Sequence, residues 1–290
     1  MAALEKIYKA FSSGINLFIS SFISILKIIF LYRENTKLPK GIKESCAILG
    51  NGPSLNYSLK NHLNFIEACD ILCVNHFAQS EYFRILKPKK YVFLDEYYFL
   101  FDNKKYDLAV VNQTFEILKI IDWPISIFLP MYARDSYLVD TVLKNNIYIK
   151  ICYFNHIAVE GYNWFKFPVF KRGIGMPQCQ NVLSASIFLS INIGYKDIYI
   201  FGADHSWHEQ FTHLDNNKIT MTDGHFYDKT EKKPVLVTQG HITVSYFFSS
   251  LYKVFRGYEI INEYANYRHT KVYNASHKSF IDAFERKEIN

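Results

Sequence analysis

The fold is constrained most by an alternation, from Cys46 onward, of short β-rich runs with longer amphipathic stretches. Alternating strands and helices predict an α/β fold in which a Rossmann-like parallel sheet is flanked by helices. Ligands bind such sheets at the C-terminal ends of the strands. The predicted strands are 46–50, 70–75, 90–95, 125–129, 147–154, 197–203 and 258–262. The predicted helices include 58–68, 135–145 and 181–194.

Polar side chains follow four of these predicted strands. Asn51 follows the first, Asn75 ends the second, Asp95 ends the third, and Asp204 and His205 follow the run that ends at position 203. A turn or strand end is sufficient to explain any one of them. Because all of them fall at the same predicted edge of the sheet, together they predict a ligand cleft.

The turn "GNGPSL" after the first strand is the strongest local motif. Leu55 stands where a dinucleotide fingerprint needs glycine, and the Gly-Lys-Ser/Thr ending of a P-loop is absent. A tight turn into a helix still brings N–H groups close to a phosphate, and an asparagine amide suits a phosphate oxygen or a ribose hydroxyl. The candidate nucleotide-binding residues here are Asn51, Gly52, Pro53 and Ser54.

The stretch 205–240 has no clear strand or helix period and is rich in polar residues. Its position after a sheet edge predicts an irregular lid, although a solvated loop is the simpler alternative. Its histidines and carboxylates lack a recognised metal-ligand spacing, so no metal is expected. His241 follows at the start of a predicted helix, where the dipole favours a neutral imidazole. A neutral imidazole is the form that a general base requires.

Composition restricts the class of protein. The chain is 49% apolar and carries a diffuse net charge of +6, which favours a globular protein and predicts no nucleic-acid partner. Its five cysteines lie mostly in strand-like runs, which indicates reduced thiols in the cytosol rather than a disulfide framework.

The N-terminal 40 residues differ from the domain predicted at 41–290. Residues 11–32 are strongly apolar, but polar residues recur at helical spacing, which predicts an amphipathic helix followed by a linker. One interpretation is a peripheral helix on the cytoplasmic face of a bacterial inner membrane. The other is a helix packed on the body or, in a homo-oligomer, on another subunit. A full crossing is disfavoured because Lys27 would lie near the bilayer centre. The polar stripe comprises Ser13, Asn16, Ser20, Ser24 and Lys27.

Four segments, "ILGNGPSL", "CVNHF", "NIGYKDIYIFGAD" and "QGHITVSYFFSSLYKVF", resemble equally ordered segments of glycosyltransferase family 42, the bacterial sialyltransferases that use CMP-sialic acid. The resemblance implies a single-domain, Rossmann-like variant of the GT-A fold and metal-independent, inverting transfer. It also implies that Asn51 contacts the CMP phosphate or ribose, that Asn75 contacts the nucleotide, and that His241 deprotonates the acceptor hydroxyl.

The chain departs from that family at several positions. The family's two tyrosines that steady the leaving phosphate fall near Ser206 and Thr212. Asp95 replaces an asparagine, and Gln180 and Asn181 replace a serine-rich helix start. These changes leave open whether the donor sugar is sialic acid or a related nonulosonic or Kdo-type acid, transferred to a glycan or glycolipid acceptor. The residues expected to take the place of the tyrosines are His205, Trp207, His213 or Tyr227.

A second resemblance involves "GNGPSL", "KRGIGMPQCQNVLSAS", "FGAD" and "VYNASHKSFIDAF". They are similar to the family that contains MptE-like pterin pyrophosphokinases and Maf-type flagellin glycosyltransferases. A pyrophosphokinase would require ATP and Mg²⁺, with Asp95 and Asp204 as candidate ligands. The last segment is also explained by a capped helix over 274–284. A third hypothesis is a non-catalytic, membrane-bound scaffold.

Overall fold

The computed structural model of the chain consists of helices packed on both faces of a parallel sheet. It describes residues 2–99, 108–137, 139–214, 218–222, 226, 235–236 and 243–289. The strands are β1 (Ser45–Leu49), β2 (Asp70–Val74), β3 (Lys90–Val92), β4 (Ile125–Pro130), β5 (Ile149–Phe154), β6 (Asp197–Phe201), β7 (Phe211–Leu214), β8 (Lys218–Met221), β9 (Val235–Leu236), β10 (Lys271–Asn274) and β11 (Glu285–Arg286). The helices are α1 (Ala2–Leu31), α2 (Leu55–Asn61), α3 (Leu63–Ala68), α4 (Glu81–Leu86), α5 (Leu108–Lys119), α6 (Asn163–Lys171), α7 (Val182–Ile193) and α8 (Val244–Tyr267).

Within the described residues, eight strands form one sheet in the order β11-β10-β6-β1-β2-β3-β4-β5. Every neighbouring pair is parallel. From β1 the chain builds the sheet in one direction to β5, then returns to place β6 on the other side of β1. Leu49, the last residue of β1, lies beside Phe201 of β6 and Cys73 of β2. The reversal makes the C-terminal ends of β1 and β6 the topological switch point, where α/β folds bind ligands.

Both faces of the central strands are buried. In β1, Cys46 and Ile48 pack under α6, α7 and α8, whereas Ala47 and Leu49 pack under α2 to α5. Burial on both faces explains why this strand is a continuous apolar run rather than an alternating one. Helix α7 is buried along almost its whole length, which explains why its apolar residues are not confined to one face.

Six of the seven predicted strands are confirmed, but the strand predicted at 258–262 is wrong because these residues lie inside α8. Val254, Tyr258, Ile261 and Ala265 are buried at the spacing of one helix face. The β-branched residues in this stretch therefore pack as part of a long helix. The helix suggested at 135–145 is present as a shorter π-helical segment, Val139–Leu143.

The C-terminal segment is not the capped helix suggested at 274–284. It runs from β10 through an irregular stretch to β11. Asn274 Nδ2 donates to Ser279 Oγ and to the Ile281 carbonyl, so it holds a turn rather than capping a helix. Ser276 Oγ accepts from the Ala203 N–H. The bond between Ser276 and Ala203 joins this segment to the backbone just after β6.

The segment 205–240 is more regular than its sequence indicates. Its described part contains β7, β8 and β9, which form a small antiparallel sheet. The Phe211 ring packs 4.8 Å from that of Phe247 at the start of α8. The strands are short and mostly exposed, so they lack the apolar alternation by which a strand is recognised.

The predicted N-terminal helix is confirmed as α1. Its portion Phe11–Leu31, 21 residues, is long and apolar enough to cross a membrane by length and composition. Ile28 packs partly on the core beneath α6 to α8. An extended segment follows, in which the Thr36 N–H donates to the Tyr153 carbonyl of β5.

Candidate active site

A cleft of about 310 Å³ opens at the C-terminal ends of β1, β2, β3 and β6. Its position is the switch point of the sheet, where the predicted polar cluster was expected. The lining residues are Gly50, Asn51, Gly52, Pro53, Val74, Asn75, Asp95, Asn181, Val182, Leu183, Gly202, Asp204, His205, Ser206, Trp207 and Gln210.

Most of the predicted substrate-binding residues meet in this cleft. Ser54 lies just behind it, and His213 lies on β7 with an exposed side chain, away from the lining. Tyr227 and His241 lie outside the described residues, so their roles stay predictions. The predicted residues that line the cleft are Asn51, Gly52, Pro53, Asn75, Asp95, Asn181, Asp204, His205 and Trp207.

The "GNGPS" turn is bound to the end of β6 by hydrogen bonds within the protein. The Gly52 N–H donates to the Gly202 carbonyl at 2.9 Å. The Ser54 N–H donates to Asp204 Oδ1 at 3.1 Å, and Ser54 Oγ donates to Asp204 Oδ2 at 2.8 Å. A Cβ at Gly52 would collide with this carboxylate. Because Asp204 already accepts from the Ser54 N–H, a phosphate at the start of α2 would have to compete with it.

The start of α7 offers donors that the turn does not. The N–H groups of the first residues of an α-helix have no acceptor within the helix. Asn181 Oδ1 accepts from the Ser184 N–H at 2.9 Å, while Val182 and Leu183 line the cleft. The positive end of the buried, 12-residue α7 therefore points at the cleft. We expect an anionic group of a ligand to bind there.

Three amide oxygens of the cleft, Asn51 Oδ1, Asn75 Oδ1 and Gln210 Oε1, are buried without a hydrogen-bond partner among the described residues. The Asn51 amide donates to the Val74 carbonyl at 3.3 Å, and the Asn75 amide donates to Asp95 Oδ2 at 3.2 Å. Since a carbonyl and a carboxylate accept but do not donate, these bonds fix both asparagines with their oxygens free. An unpaired buried acceptor costs about 1–3 kcal/mol. The site therefore favours a ligand that brings hydroxyl or amino donors.

Two residues of the cleft have left-handed backbone conformations. Asn75, directly after β2, has φ 48°, and His205, shortly after β6, has φ 52°. Such values are uncommon for residues other than glycine, although Asn and His tolerate them better than most. Backbone strain of this kind is concentrated at functional sites. Its occurrence at two strand ends of one cleft supports a binding role for that edge of the sheet.

His205 is held as a neutral side chain. Its Nε2 lies 2.7 Å from Tyr258 Oη, and Tyr258 donates to Asn181 Oδ1 at 3.1 Å. Burial lowers the pKa of His205 to about 3, so the imidazole carries no charge at pH 7. Its ring centroid lies 4.5 Å from that of Trp207. Because Tyr258 donates to Asn181, the Nε2–H of His205 donates to Tyr258 Oη and its Nδ1 is left as an acceptor, so the imidazole brings neither a donor nor a positive charge to the cleft.

Burial raises the pKa of both carboxylates of the cleft, Asp95 and Asp204. At Asp204 the hydrogen bonds from Ser54 oppose this rise but do not cancel it. The described residues contain no group of three or more His, Cys, Asp or Glu side chains that could hold a metal ion. Asp95 and Asp204, the ligands considered for Mg²⁺, each accept a hydrogen bond from a protein donor.

Several residues of the site could not be recognised from the sequence. Val182 and Leu183 line the cleft at the start of α7, where we expect their backbone N–H groups to contact a ligand, and side-chain type is uninformative for such groups. Gln210 reaches the cleft only because of the path of the chain after β6. Phe226 covers the outer side of the turn, where its N–H donates to the Asn51 carbonyl at 3.0 Å.

Comparison with known proteins shows a similarity of fold rather than of sequence. No family model and no curated protein sequence matches the chain. The structure is similar to that of the Maf glycosyltransferase from Magnetospirillum magneticum AMB-1, with a TM-score of 0.50 and 12% sequence identity. The similarity covers 94% of this chain and 38% of the Maf chain, so this chain spans well under half of that protein's length. The shared fold agrees with the Maf-type resemblance; the resemblance to family 42 is not confirmed by these comparisons.

Proposed function

We propose that this protein is a glycosyltransferase that moves a sugar from a CMP-activated donor to a glycan or glycolipid acceptor. The observation that carries the proposal is the pair of unpaired amide oxygens, of Asn51 and Asn75, at the switch point of the sheet. The fold shared with a Maf glycosyltransferase supports the same class of activity.

The chemistry of the cleft favours cytidine over uridine. Cytosine carries an exocyclic amino group that donates hydrogen bonds, whereas uracil presents a carbonyl oxygen at the same position. The two ribose hydroxyls are further donors. Asn51 Oδ1, Asn75 Oδ1 and the half-buried Asp95 carboxylate all accept. The amino group of cytosine offers two N–H donors to these acceptors, whereas uracil offers only its N3–H.

The proposed reaction is a single displacement with inversion. The acceptor oxygen attacks the anomeric carbon of the donor sugar, the bond between that carbon and the phosphate oxygen breaks, and CMP leaves with the bonding electrons. The N–H groups that begin α7 stabilise the departing phosphate, and His205 and Trp207 border it. His241 takes the proton of the acceptor hydroxyl. Transfer needs no metal, because the fixed helix dipole supplies the positive potential.

The donor sugar that we propose is sialic acid or a related nonulosonic or Kdo-type acid, for which CMP is the activating group. The acceptor would be a surface glycan such as a capsule polysaccharide or a lipooligosaccharide.

The test is isothermal titration of the full chain with CMP, UMP, GMP and ATP, each with EDTA or with Mg²⁺. We expect CMP to bind at least tenfold more tightly than UMP and to be unaffected by EDTA. Equal affinity for CMP and UMP would refute the argument from acceptors. Binding of ATP only with Mg²⁺ would favour a pyrophosphokinase, and the absence of nucleotide binding would favour a scaffold.

A further inference from the structure

Helix α1 is attached to the body by its polar side. Ser24 Oγ accepts from the Glu160 N–H at 2.9 Å and donates to the Glu160 carbonyl at 3.1 Å. Ser21 Oγ accepts from the Tyr162 N–H at 3.2 Å. Ser21 and Ser24 are only 8% and 1% exposed. Gly161, at φ +115°, allows this approach, because a Cβ there would collide with Ser21. These contacts fix one face of α1 on the protein.

The opposite face of α1 is apolar and exposed. Successive residues of a helix are about 100° apart around its axis, so Ile15, Phe22 and Ile29 lie nearly in one row along α1. This row is rotated around the axis by more than 100° from the midpoint between Ser21 and Ser24. They are 43%, 55% and 67% exposed. A helix packed on a soluble body buries its apolar face, whereas α1 buries serines. The other large exposed apolar side chains of this helix include Phe11, Phe18, Ile19, Leu26 and Phe30.

Charge indicates what covers this face. The first 40 residues contain six Lys or Arg and two Glu, which is most of the excess positive charge of the chain. The exposed Lys27 lies on the flank of α1, and the exposed Arg33 follows the helix. Trp164, 75% exposed, stacks beside Tyr162, whose hydroxyl donates to the Gly14 carbonyl of α1. Basic residues and an exposed Trp beside an apolar helix face complement an anionic lipid surface. Two copies packed through this face would bring like charges together.

We propose that α1 lies in the plane of an anionic lipid bilayer, with its apolar face in the lipid and its serine face on the protein. A crossing orientation conflicts with the contacts made by Gly14, Ser21 and Ser24. These residues fall within the only segment of the described chain that could span, Phe11–Leu31. Crossing would therefore carry the backbone of Glu160–Tyr162 and the attached domain into the hydrocarbon, where backbone groups outside helices and barrels are not satisfied.

The test measures depth at three points along α1 in the full chain. Ile15→Cys, Phe22→Cys and Ile29→Cys are labelled with a fluorophore, which is selective because the five native cysteines are all buried. Quenching by lipids brominated at known depths is measured in vesicles of phosphatidylglycerol and phosphatidylcholine. An in-plane helix places all three probes at one shallow depth. A spanning helix separates successive probes by about 10 Å, since seven residues rise 1.5 Å each.

The matched variants are Phe22→Glu, on the apolar face, and Asn16→Glu, at an exposed position of the polar stripe. Both variants add the same charge. If the apolar face lies in the lipid, Phe22→Glu binds the anionic vesicles at least tenfold more weakly than Asn16→Glu. Unchanged thermal unfolding midpoints without vesicles would show that both variants fold. A depth gradient along the three probes, equal binding by the two variants, or a dimer in light scattering with no vesicle binding would overturn the proposal.

Discussion

Replacement of Asn51 by leucine separates ligand binding from folding stability. In the structure, Asn51 makes a single long side-chain hydrogen bond, 3.3 Å to the Val74 carbonyl, while its Oδ1 is buried and unpaired. Loss of that bond costs about 0.5–1.5 kcal/mol, and removal of the unpaired oxygen returns about 1–3 kcal/mol. We therefore expect Asn51→Leu to leave the free energy of unfolding unchanged or slightly raised, by about 1 kcal/mol.

The same substitution should weaken CMP binding. A ligand donor left without its acceptor loses about 1–3 kcal/mol, and 1.4 kcal/mol corresponds to tenfold in affinity, so we expect CMP to bind roughly 5- to 140-fold more weakly. Urea unfolding measures the stability and calorimetric titration measures the affinity.

Asn192 provides the matched control because its amide is fully used. It accepts from Tyr264 Oη at 2.6 Å and from Arg268 Nη1 at 3.0 Å, and donates to the Phe170 carbonyl at 2.9 Å. Asn192→Leu should therefore cost about 2–4 kcal/mol of stability and leave CMP affinity unchanged. Two results would contradict the role assigned to the unpaired Asn51 oxygen: Asn51→Leu destabilises the protein as much as Asn192→Leu does, or it binds CMP as tightly as the unaltered chain.

Two further substitutions test the sheet edges. At the edge opposite the cleft, Asp70 is buried, 3.1 Å from Lys90 Nζ, so Asp70→Asn should cost about 3–5 kcal/mol in urea unfolding at pH 7 because it leaves a buried ammonium without its carboxylate. Burial raises the pKa of Asp70, but hydrogen bonds, first from Tyr195, outweigh it and lower the pKa. The stabilisation that the Asp70 carboxylate contributes is fully present above its unfolded pKa of about 3.9 and is lost as pH falls through its folded pKa. The free energies of unfolding of Asp70→Asn and of the unaltered chain should therefore become equal in strong acid. A difference between them that does not change with pH would contradict this. At the cleft, Gly52→Ala should lower the free energy of unfolding by about 1–3 kcal/mol and weaken CMP binding, because the added methyl collides with Asp204. An unchanged CMP affinity in calorimetric titration and an unchanged thermal unfolding midpoint would contradict the close approach of Gly52 and Asp204.

The position of the cleft could be predicted from the sequence because it depends on strand order and strand ends. Asn51, Asn75 and Asp204 follow strands that the apolar runs identify, and parallel strands bring their C-terminal ends to one edge. The strand predicted at 258–262 is wrong because a short run with β-branched residues fits a buried strand and a buried helix segment equally well. Only the recurrence of buried residues every three or four positions from Val254 onward identifies α8 as a helix.

The partners of these side chains could not be predicted, since they depend on packing between distant segments. That Asp204 binds the start of α2 follows from a contact between residues 150 positions apart. That the start of α7 faces the cleft follows from how this helix packs on the sheet. The orientation of α1 likewise depends on Gly161, whose positive φ permits the approach of Ser21. Neither feature has a signature in local sequence pattern.

Transfer from a CMP-activated donor is measured as CMP release from CMP-sialic acid, a CMP-nonulosonic acid and CMP-Kdo by the full chain, with EDTA and with glycan or glycolipid acceptors. We expect acceptor-dependent release from at least one donor that EDTA does not reduce. We also expect release at least 100-fold slower in His241→Ala with unchanged CMP affinity, the loss typical of a missing general base. No release from any CMP-sugar, together with Mg²⁺-dependent pyrophosphate transfer from ATP, would contradict the proposed transfer.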